Sequence, residues 1–489
     1  MSQESLGTLW RWGDPGLARR GDRGVVVSAL VAGVLADLAV RSGGGLSAAL
    51  LVFVVGAAFL VAGRPTGWQS RCLIGAAVVF GGFLAVRSSP WLVPLDLLVI
   101  GGLLVLSASL ARSGSMFDLP LSGLVARAVH AVVHGVAAPA FAVQGLPWLR
   151  SRSGAEQSTR MAALRGLSLA VPLLVVLGAL LASSDVLFAH IFDFAPDVDE
   201  SIVHLVLIGL GAWGMAGLLR VAAATPPMSV PQRLPLLGSL EATIVLASVV
   251  VLFAGFAVTQ VVALAGGGRH VVETAGLTYA EYARSGFFQL VAVAAIALAV
   301  LLTVDAFTGS SSDRSRRRLV LLSEVVIALT LVVVVSALRR LDLYENAYGL
   351  TMLRLYAAVF VGWIGVSLLL LGAWILRGRD RAWFPAAAIA AGLAAVLVLN
   401  VVNPEAVVVR RNVALAEQAG RFDSGYLSWL SDDAVPEMVR TLGRLPEPLR
   451  TSVVSDICNR PPRTTKGWAA WNAAHRAADD ARREVCPTG

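Results

Sequence analysis

Runs of 17 to 25 mainly apolar residues recur along the first 400 positions of this 489-residue chain. Each run is long enough to cross roughly 30 Å of hydrocarbon. Inside a bilayer no water reaches the backbone, so every amide must find its partner within its own segment, and these runs are predicted to be helices. The predicted spans cover 24–40, 46–63, 72–87, 91–110, 166–189, 201–222, 240–264, 285–306, 319–338, 349–376 and 385–402. The expected fold is therefore all-α, a polytopic transmembrane helix bundle of about 11 spans. Length alone suggests several soluble domains, but a 56% hydrophobic content, only 15% charged residues and a mean hydropathy of +0.73 exclude that reading.

A net charge of +8 and a pI near 10.1 raise the question of nucleic acid. The positive charge, however, sits in short loops between apolar runs, where it orients helices toward the cytoplasm. With the N-terminus inside, the inner loops after the first span hold 17 arginines and the outer loops 6. Membrane lipids, not nucleic acid, are the expected partners. Lys466 is the only lysine, which together with the Ala, Val and Gly richness resembles the codon bias of a GC-rich bacterium. The expected location is a bacterial plasma (inner) membrane.

Five segments follow. Residues 1–23 form a basic cytoplasmic N-terminus, and the first helix is expected to be retained because a second apolar run follows it closely. Residues 24–110 carry four spans, 111–165 a cytoplasmic connector, 166–402 seven more spans, and 403–489 a small helical extracytoplasmic domain. The apolar stretch 119–149 is read as an amphipathic helix on the cytoplasmic surface. The alternative, a twelfth span, reverses everything after it and places Arg127 at mid-bilayer, at a cost of about 2.5–3.5 kcal/mol.

Soluble-enzyme signatures carry little here. Gly209, Gly211 and Gly214 match a dinucleotide-binding pattern, but no strand precedes them, and close helix packing explains them better. His130 and His134 have a ligand-like spacing without an acidic or thiol partner, so neither metal nor cofactor is expected. Carboxylates inside spans weigh more, because burial makes them costly. Asp37 and Asp96 fall toward the outer halves of spans one and four. Asp305, Glu324 and Glu241 lie at the inner face, where arginines are available as partners.

The outer face gathers a candidate polar cluster: Asp185 after span five, Tyr279, Glu281, Tyr282 and Arg284 before span eight, and Arg339, Arg340, Tyr344, Glu345, Tyr348 and Arg354 around the start of span ten. It reads either as an outward-facing ligand pocket or as an ion-pair network with interfacial tyrosines. In the tail, Cys458 and Cys486 both fall on the oxidising side of this topology and form a candidate disulfide. Ser431-Asp432-Asp433 has the composition of an N-cap before a helix at 434–443.

Several of these strings, YAEYARSGF at 279–287, YGLTMLR at 348–354 and NPEAVVVRRN at 403–412, resemble bacterial membrane proteins of the uncharacterised 4153/4173 domain-of-unknown-function group, over roughly 160–450. The resemblance implies a multi-span inner-membrane protein with an extracytoplasmic tail and carries no activity with it. With no catalytic set recognised, the expected role is a non-enzymatic envelope component, transport-like, sensing or scaffolding, with the tail available to an extracytoplasmic protein partner. The alternative is a membrane-embedded transferase or hydrolase acting on lipid-linked envelope material. In it Asp185 or Glu281 is the base, and Arg284 and Arg354 hold an anionic headgroup. A third reading is a transporter coupled to ions through Asp37 and Asp96.

Overall fold

The computed structural model describes residues 23–112, 114–136, 200–224, 236–265, 286–309, 312–378, 382–419, 424–460 and 467–486, with single positions at 138, 166, 170, 174, 177 and 181. Most of the predicted fifth span, the acidic stretch after it as far as Asp199 and much of the connector lie outside the described residues. What is described is all-helical apart from one isolated bridge between Leu237 and Thr308.

Six helices build a first bundle: α1 (Arg23–Arg41), α2 (Leu46–Ala58, extended by a π turn at Phe59–Gly63), α3 (Trp68–Phe83), α4 (Leu92–Ser109), α5 (Leu121–Val136) and α6 (Glu200–Ala223). Five build a second: α7 (Ser239–Ala265), α8 (Phe287–Phe307), α9 (Asp313–Tyr348), α10 (Met352–Leu376) and α11 (Trp383–Val402). Among the described residues, 9 helices are long and apolar enough to cross a membrane. The third predicted span, α3, has 16 residues, about 24 Å of helix, which is short of a full crossing.

Each bundle buries its own core. Phe59, Ile74, Phe80, Leu103, Met215 and Leu219 fill the first, and Leu246, Val326, Val361, Ile364 and Leu368 the second. Helix α11 serves both: Phe384 lies in the second core and Val396 in the first. Outward faces carry Leu98, Val251, Leu252, Leu321 and Leu369, large apolar side chains left uncovered, as lipid-facing helices require. Helices α1 and α6 meet closely because Gly211 has no side chain; a Cβ there would lie 2.6 Å from that of Ala36. Within the glycine-rich string of α6 the close approach is made at Gly211, whereas a Cβ at Gly209 or Gly214 would meet nothing within 4 Å.

Two elements differ from the sequence reading. The segment before span ten, expected as a loop from Arg339, continues α9 without a break for 36 residues, about 54 Å. No glycine or proline interrupts it until Gly349, which ends it at φ +80°. Helix α5 is amphipathic as expected, but its polar side faces the protein. Arg127 is buried and donates to the Ser109 carbonyl, whereas Leu121, Val125, Val129 and Val132 are exposed.

Beyond α11 the chain turns sharply. Asn403 adopts φ +60°, a region Asn tolerates better than most residues, and its side chain caps the next helix by accepting from the Ala406 amide at 3.3 Å. Five helices follow: α12 (Pro404–Ala419), α13 (Ser424–Ser428), α14 (Val435–Thr441), α15 (Glu447–Asn459) and α16 (Ala473–Val485). They enclose a third core of Val408, Val409, Val435, Met438, Ile457 and Ala478, into which Leu350 and Met352 also pack from the start of α10. Cys458 and Cys486, 28 positions apart, are bonded and tie the end of α15 to the end of α16. Closing a loop of that size restricts the unfolded chain by about 3–4 kcal/mol. Replacing both cysteines by serine is therefore expected to lower the stability of these helices by about that amount, measured by chemical denaturation with a C-terminal fluorophore; an unchanged midpoint would show that the crosslink constrains nothing.

Candidate functional site

The C-terminal helices meet the two bundles in three places, and most of the polar chemistry among the described residues gathers there. The first joint is the α9–α10 turn. Asn412 of α12 accepts from the Leu350 amide at 2.7 Å and donates to the Leu350 carbonyl at 2.9 Å. This bracket needs Gly349, because a Cβ there would lie 2.7 Å from the Asn412 Oδ1. Tyr426 accepts from the Met352 amide at 2.7 Å, and Arg411 donates to Asn346 at 2.7 Å. The family-like strings YGLTMLR and NPEAVVVRRN are thus two halves of one contact.

The predicted outer cluster divides accordingly. Asp185, Tyr279, Glu281, Tyr282 and Arg284 lie outside the described residues. Among the described residues, the Arg354 guanidinium stacks over the Tyr344 ring, 3.9 Å from the centroid, and donates to the Gly349 carbonyl. Tyr348 packs edge-on against Tyr344 at 5.1 Å between centroids. Glu345 supplies the carbonyl that caps α9, accepting from the Gly349 amide at 2.8 Å. Arg339 is placed on the same last turns of α9, and Arg340 reaches across to Gly286 at the start of α8.

The second joint is the α3–α4 turn. Arg87 donates to the Asn400 carbonyl at 2.8 Å and the Val401 carbonyl at 3.2 Å, and pairs with Asp433 at 3.4 Å. Asp433 also accepts from the Ser88 amide at 2.6 Å. Ser431-Asp432-Asp433 is therefore not simply an N-cap. Its carboxylates point away from α14, Asp433 to Arg87 and Ser88, and Asp432 to His475 at 2.7 Å and Arg482 at 2.5 Å. Asn472 donates to the Leu84 and Arg87 carbonyls at 3.1 and 3.0 Å, while backbone bonds join Ala473 to Ala85 and Leu46 to Trp471, each at 2.8 Å.

The third joint lies beneath the other two, between the bundles. Asn400 of α11 donates to Asp96 of α4 at 2.7 Å, with both residues fully buried. Trp91 stacks on Tyr356 at 5.8 Å. Above them, Glu405 in the first turn of α12 is 1% exposed and accepts from the Ser431 amide and hydroxyl at 2.7 and 2.8 Å. Apart from these joints, α1 and α6 share a cluster in which His204 bonds Asp37 at 2.7 Å and Arg41 pairs with Glu200. Sequence reasoning singled out Asp37 and Asp96 but missed Asn400, Glu405, Asn412 and His204. The only signal for Asn412 was its place in a family-like string.

Burial pushes the Glu405 carboxyl above its ordinary 4.5, against the lowering effect of Ser431. Burial acts the same way on Asp432, yet His475 and Arg482 outweigh it and hold that carboxyl below its ordinary 3.8. The two groups give opposite linkages. Glu405 binds more protons folded than unfolded, so its contribution declines as pH rises through its raised folded value. Asp432 stabilises the fold above its unfolded value, and that support is lost as pH falls through its lowered folded value. Docking is expected to be firmest between the two, measured as protease resistance of the C-terminal helices against pH. Glu405→Gln should flatten the alkaline decline and spare the acid one; an unaltered alkaline slope would contradict the assignment. Removing one partner of a buried ion pair costs about 3–5 kcal/mol, so Asp433→Ala should weaken docking at every pH.

Comparison with curated proteins and with solved structures gives no match. A family model described as "Domain of unknown function (DUF4153)" matches residues 74–441, a stretch that runs from within α3 to the end of α14 and takes in the first and third joints and the Arg87, Ser88 and Asp433 part of the second. The chain belongs to that family.

Proposed function

We propose that this protein is a non-enzymatic component of a bacterial cell envelope, in which an extracytoplasmic C-terminal domain clamps two membrane bundles together. It works as a scaffold or sensor. In this reading α3 and the apolar stretch 166–189 join the nine candidate helices to give eleven spans. The N-terminus is cytoplasmic and the tail lies outside. Loop arginines support that orientation, as does the Cys458–Cys486 bond, which persists in oxidising compartments. Trp429 and Trp468, 84% and 61% exposed, suit contact with lipid headgroups, where indoles accumulate.

The observation that carries the non-enzymatic reading is the bracing of Arg354: its guanidinium stacks on Tyr344 and one of its nitrogens donates to the Gly349 carbonyl of its own α9–α10 turn, contacts that favour a structural role. Arg354→Ala is therefore expected to cost stability, on the order of 1–2 kcal/mol from a cation–π contact and one charged hydrogen bond, measured as a lower melting midpoint of detergent-purified protein. A variant of unchanged stability that loses turnover of a lipid-linked envelope precursor would make the protein an enzyme. A reporter fused after Asp456 is expected to report from outside the cytoplasm; a cytoplasmic signal would overturn the topology.

A further inference from the structure

The seam between the two bundles holds a polar pair whose hydrogen bonds do not balance. Asn400 uses its amide nitrogen twice, donating to Asp96 Oδ1 at 2.7 Å and to the Val396 carbonyl at 3.1 Å. That double use fixes which end of the amide is nitrogen. Two atoms of the pair remain buried with no partner among the described residues, Asp96 Oδ2 and Asn400 Oδ1, and both residues are 0% exposed. Both orphans are acceptors in the ionised state, so what the site lacks is a donor.

Among the described residues no neighbouring cation supplies it. The guanidinium beside the seam, Arg87, is engaged by Asp433 and by the Asn400 and Val401 carbonyls. The buried Tyr356 hydroxyl on α10 donates to neither orphan, since it makes no hydrogen bond among the described residues. The next charged groups, Glu405 and Asp433 on the C-terminal helices, are themselves acidic and add to the negative field around Tyr356. An ionised Asp96 would then be a fully desolvated carboxylate with one hydrogen bond and no ion pair, the arrangement that buried charges avoid.

We propose that Asp96 and Asn400 form a proton-binding site at the junction of the bundles. Asp96 Oδ2 takes one proton from a hydronium ion of the solvent: the hydronium O–H bond breaks as the carboxyl O–H bond forms, and a neutral water is released. The neutral acid then donates to Asn400 Oδ1 while Oδ1 of Asp96 keeps the Asn400 amide, giving a two-bonded acid–amide pair without net charge. Loss of the proton puts a negative charge on the seam beneath the C-terminal helices and weakens the contact of α4 with α11. The ligand is the proton, and the site makes bundle closure responsive to pH independently of Glu405.

Infrared difference spectroscopy on the full-length protein in lipid nanodiscs tests this directly. The wild type at neutral pH is expected to show the carbonyl stretch of a protonated carboxyl that is lost in Asp96→Asn and retained in Glu405→Gln. Asn400→Ala, which keeps the acid and removes its acceptor, is expected to shift that stretch to higher frequency. If wild type and Asp96→Asn share the same carboxyl bands, Asp96 is ionised and the proposal fails. It also fails if the protonated band is absent and sodium, but not choline, stabilises the wild type and leaves Asp96→Asn unaffected, since a metal cation then occupies the site.

Discussion

The last carbonyls of a helix have no amide one turn ahead to bond, and at a bilayer exit they need a donor from elsewhere. In this chain the donor is Arg87, which takes the Asn400 and Val401 carbonyls at the end of α11 and pairs with Asp433 in the same gesture. One side chain thereby joins the first bundle, the second bundle and the C-terminal helices. The surrounding contacts depend on that placement. Ser88 can reach Asp433, Asn472 can bond the α3–α4 turn, and Asn403 can turn the chain with its side chain on the Asp433 carbonyl at 2.8 Å. Asp433 is 3% exposed, so its charge is bearable only while these donors surround it.

Local properties of the sequence disclosed a good part of the architecture. Apolar run length locates the helices because the bilayer imposes it segment by segment, and α1, α4 and α11 fall where the runs do. The long α9 was less legible, since the drop in hydropathy at Arg339 marks where apolar surroundings end but not where the helix does; only Gly349 marks that. The joints were hardly legible at all. Asp96 and Asn400 stand 304 positions apart, and Arg87 and Asp433 stand 346 apart. No periodicity links such residues, and Arg87 looks in sequence like any other loop arginine. Asp96 was visible as an anomaly in an apolar run, without any indication of its partner.

The candidate cluster shows the same limit. Tyrosines, arginines and acids gathered near the start of α10 have the composition of a pocket, and composition does not say which donors are free. The structure places Arg354 on Tyr344 and on the Gly349 carbonyl, and Asn412 across the Leu350 backbone. Asn412 holds α12 to the turn, and Arg354 braces the turn itself. The acidic groups that remain, Glu405 and the Asp96–Asn400 pair, lie under the cap where the three parts meet. The two sites share no hydrogen-bond partner, and both adjoin the residues that dock the C-terminal helices.

Amide hydrogen exchange on the intact protein in nanodiscs measures that junction most directly. The amides of Leu46, Ser88 and Ala473 donate across segment boundaries, to Trp471, Asp433 and Ala85. If the C-terminal helices clamp the bundles as described, these three exchange as slowly as amides inside α11 and α14. Exchange at the rate of solvent-exposed turns, with α14 still protected, would mean that the helices fold but do not dock, and the account would be wrong at its centre.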